Sequence, residues 1–473
     1  MYQYLFFDDQ KLFVRKNLER RYGTPELIAD SVYHDGHSST DLRTGYVFKT
    51  ADGKYRMIYQ GKDIADKKQH CFIAVSDDGI HFESEDVTDC VDVPERVASN
   101  ELLCLTHGEI ADIIEDPYNT PKERYKMLLC HVEGETMTVH GNLLTSPDLL
   151  HWEMVEGVEW NGGAEPITGV FYNTQRECFT LILRPDWGVR RIGYVETRDW
   201  RTYTPYTWCL QVDSLDAPLS ELYGMPSVPY GGIYLGFPLL YSGFAQELHT
   251  KYYGGLIQAE LAYSLDGHHW QRSLRTPFIT GMDAQNEAVF GYKNPMLWPS
   301  SFREDENGDM LIYASVSGKE HGPAFENSDM GRIAVWRVRK NGVIALSTVD
   351  ENTEGVLATR ENIWQGGELH INLQAKHATV AIYECRGDEL LSATHLLEGY
   401  THEDCVPFTG DSTDWVPTFK NGKTLDALAG KTLVLEVRLV NGSLYSISGD
   451  CIPVMNLQAN RYRILGITPE KFL

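Results

Sequence analysis

A seven-residue signature, Ser/Thr-x-Asp-x-x-x-aromatic, returns four times along this chain and limits its fold more than any other feature. The copies are Ser76-Asp77-Asp78-Gly79-Ile80-His81-Phe82, Ser146-Pro147-Asp148-Leu149-Leu150-His151-Trp152, Thr197-Arg198-Asp199-Trp200-Arg201-Thr202-Tyr203 and Ser264-Leu265-Asp266-Gly267-His268-His269-Trp270. Each follows a β-prone run such as Phe72-Ile73-Ala74-Val75. Ser, Thr and Asp side chains can bond their own backbone, so the start of the signature is turn chemistry, and the aromatic opens the next strand. The spacings of 70, 51 and 67 residues leave room for four short strands per unit. A degenerate fifth copy runs from Arg332 to Val338 through an Asn341-Gly342 turn to Val343-Ile344-Ala345-Leu346.

Five units of four strands without helical periodicity predict an all-β fold, a five-bladed β-propeller. After about residue 346 the pattern changes. Residues 1–346 therefore read as the propeller with an N-terminal leader segment, 347–365 as a polar linker, and 366–473 as a C-terminal β-sandwich. The sandwich strands are Glu368-Leu369-His370-Ile371-Asn372-Leu373, Thr379 to Tyr383, Leu433 to Leu439 and Leu444 to Ile447.

A second repeat locates the chemistry. Tyr46-Val47-Phe48 and Tyr55 to Tyr59 flank an Asp52-Gly53 turn and read as a hairpin. Asp41 stands four residues before Gly45, as Glu165 stands four before Gly169, whose Val170-Phe171-Tyr172 is followed by Phe179 to Leu183. With this hairpin as a ruler, Ala111-Asp112-Ile113-Ile114 pairs with Arg124 to Leu129, which sets His107 and Glu109 near the mouth. Ile233 to Phe237 becomes the second strand of the fourth unit, with Glu221 at the mouth, and Asp309 to Tyr313 points back to Tyr292-Lys293-Asn294. A propeller gathers the starts of its inner strands around one funnel, so Asp41, Glu109, Asp112, Glu165 and Glu221 become neighbours. Crowded carboxylates push their pKa values apart, leaving an acid beside a base, which is what cleavage of a glycosidic bond requires. Trp187, Tyr223, Tyr230, Tyr292 and Trp298 offer faces for a sugar ring.

Composition removes other classes. A net charge of −25 disfavours nucleic acid and anionic membranes as partners. The N-terminus lacks a basic n-region and meets acid at Asp8-Asp9, so a cytoplasmic protein is expected. Nine cysteines without CxxC spacing predict free thiols and no zinc site. No metal or cofactor is expected, because paired carboxylates can carry the proton transfers. The expected partner is a small oligosaccharide or glycoside, and a homo-oligomer is left open.

Leu5-Phe6-Phe7-Asp8-Asp9 with Asn17-Leu18-Glu19-Arg20-Arg21, Pro229-Tyr230-Gly231-Gly232-Ile233-Tyr234-Leu235-Gly236-Phe237, and Phe408-Thr409-Gly410-Asp411-Ser412 carry a resemblance. In these stretches the chain resembles five-bladed propeller glycoside hydrolases related to β-fructosidases and to family-43 arabinofuranosidases and xylosidases, and more closely family-32-like bacterial proteins. The resemblance implies Asp41 as nucleophile, Glu165 at the position of a transition-state-stabilising Asp, and Glu221 as acid/base. Thr40-Asp41-Leu42-Arg43 departs from that family's Asn-Asp-Pro-Asn-Gly, Glu165 is not in an Arg-Asp-Pro, and Leu rather than Cys follows Glu221. A fructose substrate is therefore not carried over. The alternative from another class is a non-catalytic carbohydrate-binding propeller, with a scaffold third.

Overall fold

The repeated turn forms as its chemistry requires. In the computed structural model of the chain, Ser76 Oγ accepts the backbone N–H groups of Asp78 and Gly79 at 3.2 and 2.9 Å. Asp78 Oδ1 then accepts those of Ile80 and His81, both at 2.8 Å, and its Oδ2 lies 2.7 Å from His81 Nδ1. Burial works to raise the Asp78 pKa, but these bonds outweigh it and hold the carboxyl well below the usual range. Ser146/Asp148, Thr197/Asp199 and Ser264/Asp266 repeat the arrangement. The fourth position of every copy has positive φ: Gly79 78°, Leu149 72°, Trp200 58° and Gly267 79°. Leu149 and Trp200 accept the strain of that conformation because their side chains are buried in the core.

The structure describes residues 2–466 except 36–37, 64–65, 67, 106–107, 134–137, 160–168, 185–189, 243–254, 282–295, 318–331, 387–393 and 455. The chain divides into two compact units, residues 25–338 and residues 1–24 with 339–473.

Among the described residues the first unit contains four four-stranded antiparallel sheets, one five-stranded sheet built on the same four-strand order, and a three-stranded sheet. The first sheet takes Ser38–Lys49, Tyr55–Asp63, Gln69–Ser76 and Glu83–Ser84, with Glu101–Cys104 added to its third strand. The second takes Glu109–Glu115, Tyr125–Glu133, Thr138–Ser146 and Glu153–Glu159. The third takes Gly169–Asn173, Cys178–Leu183, Ile192–Thr197 and Thr207–Leu210. The fourth takes Ser227–Tyr230, Ile233–Gly236, Ala262–Ser264 and Trp270–Arg272. All four signature turns join the third and fourth strands of different sheets.

The fifth sheet corrects the expectation for the degenerate copy. Met296–Glu304, Met310–Ser317 and Arg332–Val338 are its first three strands, and the fourth is Glu26–Tyr33 from the start of the chain. Leu27 pairs with Trp336 and Tyr33 with Ile333. Ile344–Thr348, expected to close this unit, belongs to the other one.

Alternation along each first strand sends neighbouring side chains to opposite sheets. Tyr46 and Phe48 pack with Ile110, Ile113 and Met127 of the second sheet, while Val47 packs with Tyr313, Ile333 and Val335 of the fifth. Val170 joins Leu128 and Leu143 of the second sheet, and Phe171 joins Tyr234 and Trp270 of the fourth. Phe237, following the fourth sheet's second strand, stacks on Phe302 of the fifth with ring centroids 4.8 Å apart. Each fully buried aliphatic or aromatic side chain contributes roughly 1.5–3 kcal/mol, so these contacts dominate the unit's stability. At Gly169 a Cβ would lie 2.6 Å from Ser227 N, so only glycine lets the first strands of the third and fourth sheets come this close.

The second unit is a nine-stranded hydrogen-bonded assembly. Its two long strands, Asn362–Cys385 and Thr432–Pro453, pair along most of their length. Residues 1–24, read from sequence as a leader of the propeller, contribute Tyr2–Leu5, Leu12–Lys16 and Leu18–Tyr22. The expected linker over 347–365 also carries strand, including Gly355–Thr359, which pairs with both Leu12–Lys16 and Thr432–Pro453. The polar residues there form a turn, in which Asp350 accepts the N–H groups of Asn352 and Thr353 at 2.8 Å, and the strand after it is largely buried. One helix, Leu457–Ile464, was not expected, since its sequence has no apolar stripe. Among the described residues no helix is long and apolar enough to cross a membrane.

Candidate functional site

The first strands of all five sheets line one cavity of about 410 Å³. Tyr46, Asp112, Phe171, Ser227 and Arg303 come from the five sheets in turn. The five first strands therefore surround one common axis.

Asp41 lies in the first strand of the first sheet, its side chain outside the described residues. His107, Glu165, Trp187 and Tyr292 fall outside the described residues as well. Glu109 opens the second sheet's first strand and is half-buried. Its position is fixed by Gln60, fully buried, whose Oε1 accepts the Ile110 N–H at 2.6 Å.

Asp112 follows three residues later, past an irregularity in pairing between Ile110 and Asp112. Its Oδ1 accepts the Ile113 N–H at 2.7 Å. Burial pushes its pKa up to about 8, against the opposing pull of the Ile113 and Val170 N–H groups and the Arg303 charge. Asp112 thus keeps its proton at neutral pH. Arg303, facing the same cavity, has its pKa lowered by burial, with Tyr313, Glu115 and Asp112 opposing.

Glu221 departs from expectation. It lies in Ser220–Leu222, which pairs with Leu239–Ser242 and through it with Leu256–Ala259 in a separate three-stranded sheet. The fourth sheet's first strand is instead Ser227–Tyr230. Gly231 and Gly232, with φ of 54° and 83°, turn the chain so tightly that Tyr230 pairs directly with Ile233. Counting back by the length of the first hairpin therefore overshot. Arg190 Nη1 donates to Glu221 Oε2 at 2.5 Å, and the Leu222 N–H donates to the Arg190 carbonyl at 3.1 Å.

Tyr223, two residues on, sits in a cationic and aromatic cluster that sequence reasoning missed. The Arg184 and Arg190 guanidinium carbons lie 4.6 and 5.5 Å from its ring centroid, and Trp298 meets it edge-on at 5.3 Å. Arg184 is buried and directly follows Cys178–Leu183, every residue of which is buried. An arginine ending a strand whose one polar residue is Thr180 is the signal that could have marked this cluster. Among the described residues no group of three His, Cys, Asp or Glu side chains is arranged to hold a metal ion.

No family model matches the chain, and no curated protein matches it. Solved structures do. A thermostable family-43 glycoside hydrolase is similar over 69% of this chain and 96% of its own, at 10% identity and a TM-score of 0.45. A glycosyl hydrolase from Bacteroides ovatus is similar over 67% and 94%, at 12% identity and a TM-score of 0.40. A structure from the family-130 mannoside phosphorylases, described as containing glycoside hydrolases that target β-1,2-mannosidic linkages in Candida mannan, is similar over 67% and 94%, at 13% identity and a TM-score of 0.38.

Proposed function

We propose that the five sheets are blades of a five-bladed β-propeller and that the chain is a glycoside hydrolase acting on the terminal glycosidic bond of a short oligosaccharide. The observation that carries this reading is the single cavity lined by the first strands of all five sheets. In this reading Asp41, Glu109 and Glu165, at or before the starts of those strands, gather at one mouth, and Glu221 reaches it from the separate three-stranded sheet. Asp41 serves as nucleophile or base, Glu221 gives its proton to the leaving oxygen, and Glu165 orients the sugar. Tyr223 and Trp298 supply ring faces beside them, and Trp187, Tyr292 and His107 complete the wall. As nucleophile Asp41 bonds the anomeric carbon as the leaving oxygen departs, and water then cleaves the glycosyl ester; as base it takes the proton of a water that attacks that carbon directly, and neither course uses a cofactor. Nine unbridged cysteines support a reducing, cytoplasmic setting.

The test is turnover on aryl glycosides and on fructo-, arabino-, xylo- and manno-oligosaccharides. Glu221→Gln is expected to slow substrates with poor leaving groups by roughly 10²–10⁴-fold while sparing activated aryl leaving groups. Asp41→Asn is expected to abolish turnover of both. Near-native activity in the double variant would refute the assignment.

A second reading rests on the Arg190 contact. A carboxylate whose Oε2 is already held by a guanidinium suits a site that binds sugar without cleaving it. Saturable binding of an oligosaccharide with no turnover across the panel would select that reading.

A further inference from the structure

In three of the five sheets the central cavity is lined by the later parts of the first strands: Phe48 and Lys49 of Ser38–Lys49, Glu115 of Glu109–Glu115, and Phe302 and Arg303 of Met296–Glu304. The third and fourth sheets contribute the beginnings of theirs, Gly169 and Ser227. Neither Glu109 nor Glu221 is among the lining residues. We propose that this cavity binds a small oxyanion, the carboxylate or phosphate of a sugar-sized ligand, with Arg303 as its counter-charge.

Arg303 is the first reason. Among the described residues no carboxylate lies within ion-pair distance of it. Its Nη1 donates to the Phe302 carbonyl at 2.6 Å, and its guanidinium lies 4.9 Å from the Phe48 ring centroid. The other guanidinium N–H groups have no partner among the described residues. A half-buried cation in that state is costly unless something anionic shares the cavity.

The neighbouring acids do not fill that role. Glu115 is engaged by Arg124, whose Nη2 and Nε approach the same oxygen at 2.6 and 2.8 Å. Asp112 holds its proton at neutral pH, so it presents a neutral group that can donate to an oxyanion rather than compete with one. Two serine hydroxyls are committed as donors, Ser227 Oγ to the Met225 carbonyl at 2.9 Å and Ser300 Oγ to that of Gly45 at 3.1 Å, while Ser301 Oγ accepts the Val47 N–H at 3.1 Å. The cations of the lining are Arg303 and the exposed Lys49, whose Nζ lies 5.3 Å from the Tyr55 ring centroid, so the half-buried Arg303 is the less hydrated counter-charge. About 410 Å³ is within the range of small-molecule sites and suits one sugar-sized ring carrying an acid group.

The experiment is isothermal titration of the full chain at pH 7 with inorganic phosphate, glucuronate and, as the neutral match, glucose. Saturable binding of phosphate or glucuronate without binding of glucose is expected, and which anion binds separates a phosphate from a carboxylate ligand. Arg303→Met should weaken that binding at least ~10-fold, and Arg303→Lys should retain part of it, since the charge survives but the guanidinium fork does not. Absence of saturable anion binding to the unmodified protein overturns the proposal, whether or not either variant folds. Glucose binding as tightly as glucuronate, or unchanged anion affinity in a folded Arg303→Met protein, overturns it too.

Discussion

Replacing Asp112 by Asn isolates the energetic cost of placing a carboxyl in the central cavity. Its pKa is raised from 3.8 to about 8, so the native protein holds a proton that the unfolded chain releases throughout that interval. The sign follows directly. The stability associated with this group is fully present below about pH 4 and is lost as pH rises to about 8, at about 1.4 kcal/mol per pH unit. Taken over the whole interval the loss would reach roughly 6 kcal/mol, but the carboxyl is only half-buried, and solvent screening reduces this to roughly 3 kcal/mol. Asn keeps an oxygen for the Ile113 N–H, so Asp112→Asn should match the parent within about 1 kcal/mol at pH 4. At pH 8 to 9 it should be the more stable protein by roughly 3 kcal/mol. Urea unfolding of both proteins at intervals from pH 4 to 9 gives the comparison, and every other titrating group cancels in the difference. A difference that stays constant with pH would refute the argument, as would one that grows toward acid.

Three further outcomes follow from packing and turn chemistry. Arg272 bonds Glu260 at 2.8 and 3.0 Å and Asp216 at 2.7 Å, so Arg272→Met strips buried Glu260 of its counter-charge, leaves Asp216 with Arg275 at 3.6 Å, and should cost ~3–5 kcal/mol in urea unfolding; a cost below about 1 kcal/mol would show that the network contributes little. Ser264→Ala removes the acceptor for the Gly267 N–H at 2.9 Å and should cost ~1 kcal/mol, while the same change at exposed Ser214 should cost almost nothing. Thiol titration should find nine free thiols after denaturation, with Cys90 alone reacting rapidly in the native protein because it is the one exposed cysteine.

The features legible in the sequence are the local ones. The signature turns were readable because Ser76, Asp78 and their counterparts bond backbone within a few residues, so the pattern and its structural cause occupy the same seven positions. The hairpins at Asp52-Gly53 and around Asp116 were readable for the same reason. Partners at the other end of the chain left no such mark. Glu26–Tyr33 shows nothing of its pairing with Arg332–Val338, and the Asn341-Gly342 turn reads equally well as continuing a sheet or as leaving it. At the site, Asp112 lines the central cavity, while the side chains of the repeated acids, Asp41 and Glu165, lie outside the described residues. The glycine-tightened turn at Gly231-Gly232 displaced Glu221 from the predicted strand. Arg303 and Arg190 were invisible because a charge acquires its role only from neighbours that other strands supply.

The strand Glu26–Tyr33 also sets a timetable. A ribosome makes it before the other four sheets and its partner, Arg332–Val338, only after them. Until then it waits with an unsatisfied edge, the kind of surface that recruits strands from neighbouring chains. Glu26 is exposed in the finished fold and Asp30 is exposed as well, so both acids stand where they add nothing to the core. In the waiting strand they act as like charges that keep two nascent copies from pairing with each other. Closure of the fifth sheet is in consequence a late event joining distant parts of the sequence, and slow in proportion to the loop it must close.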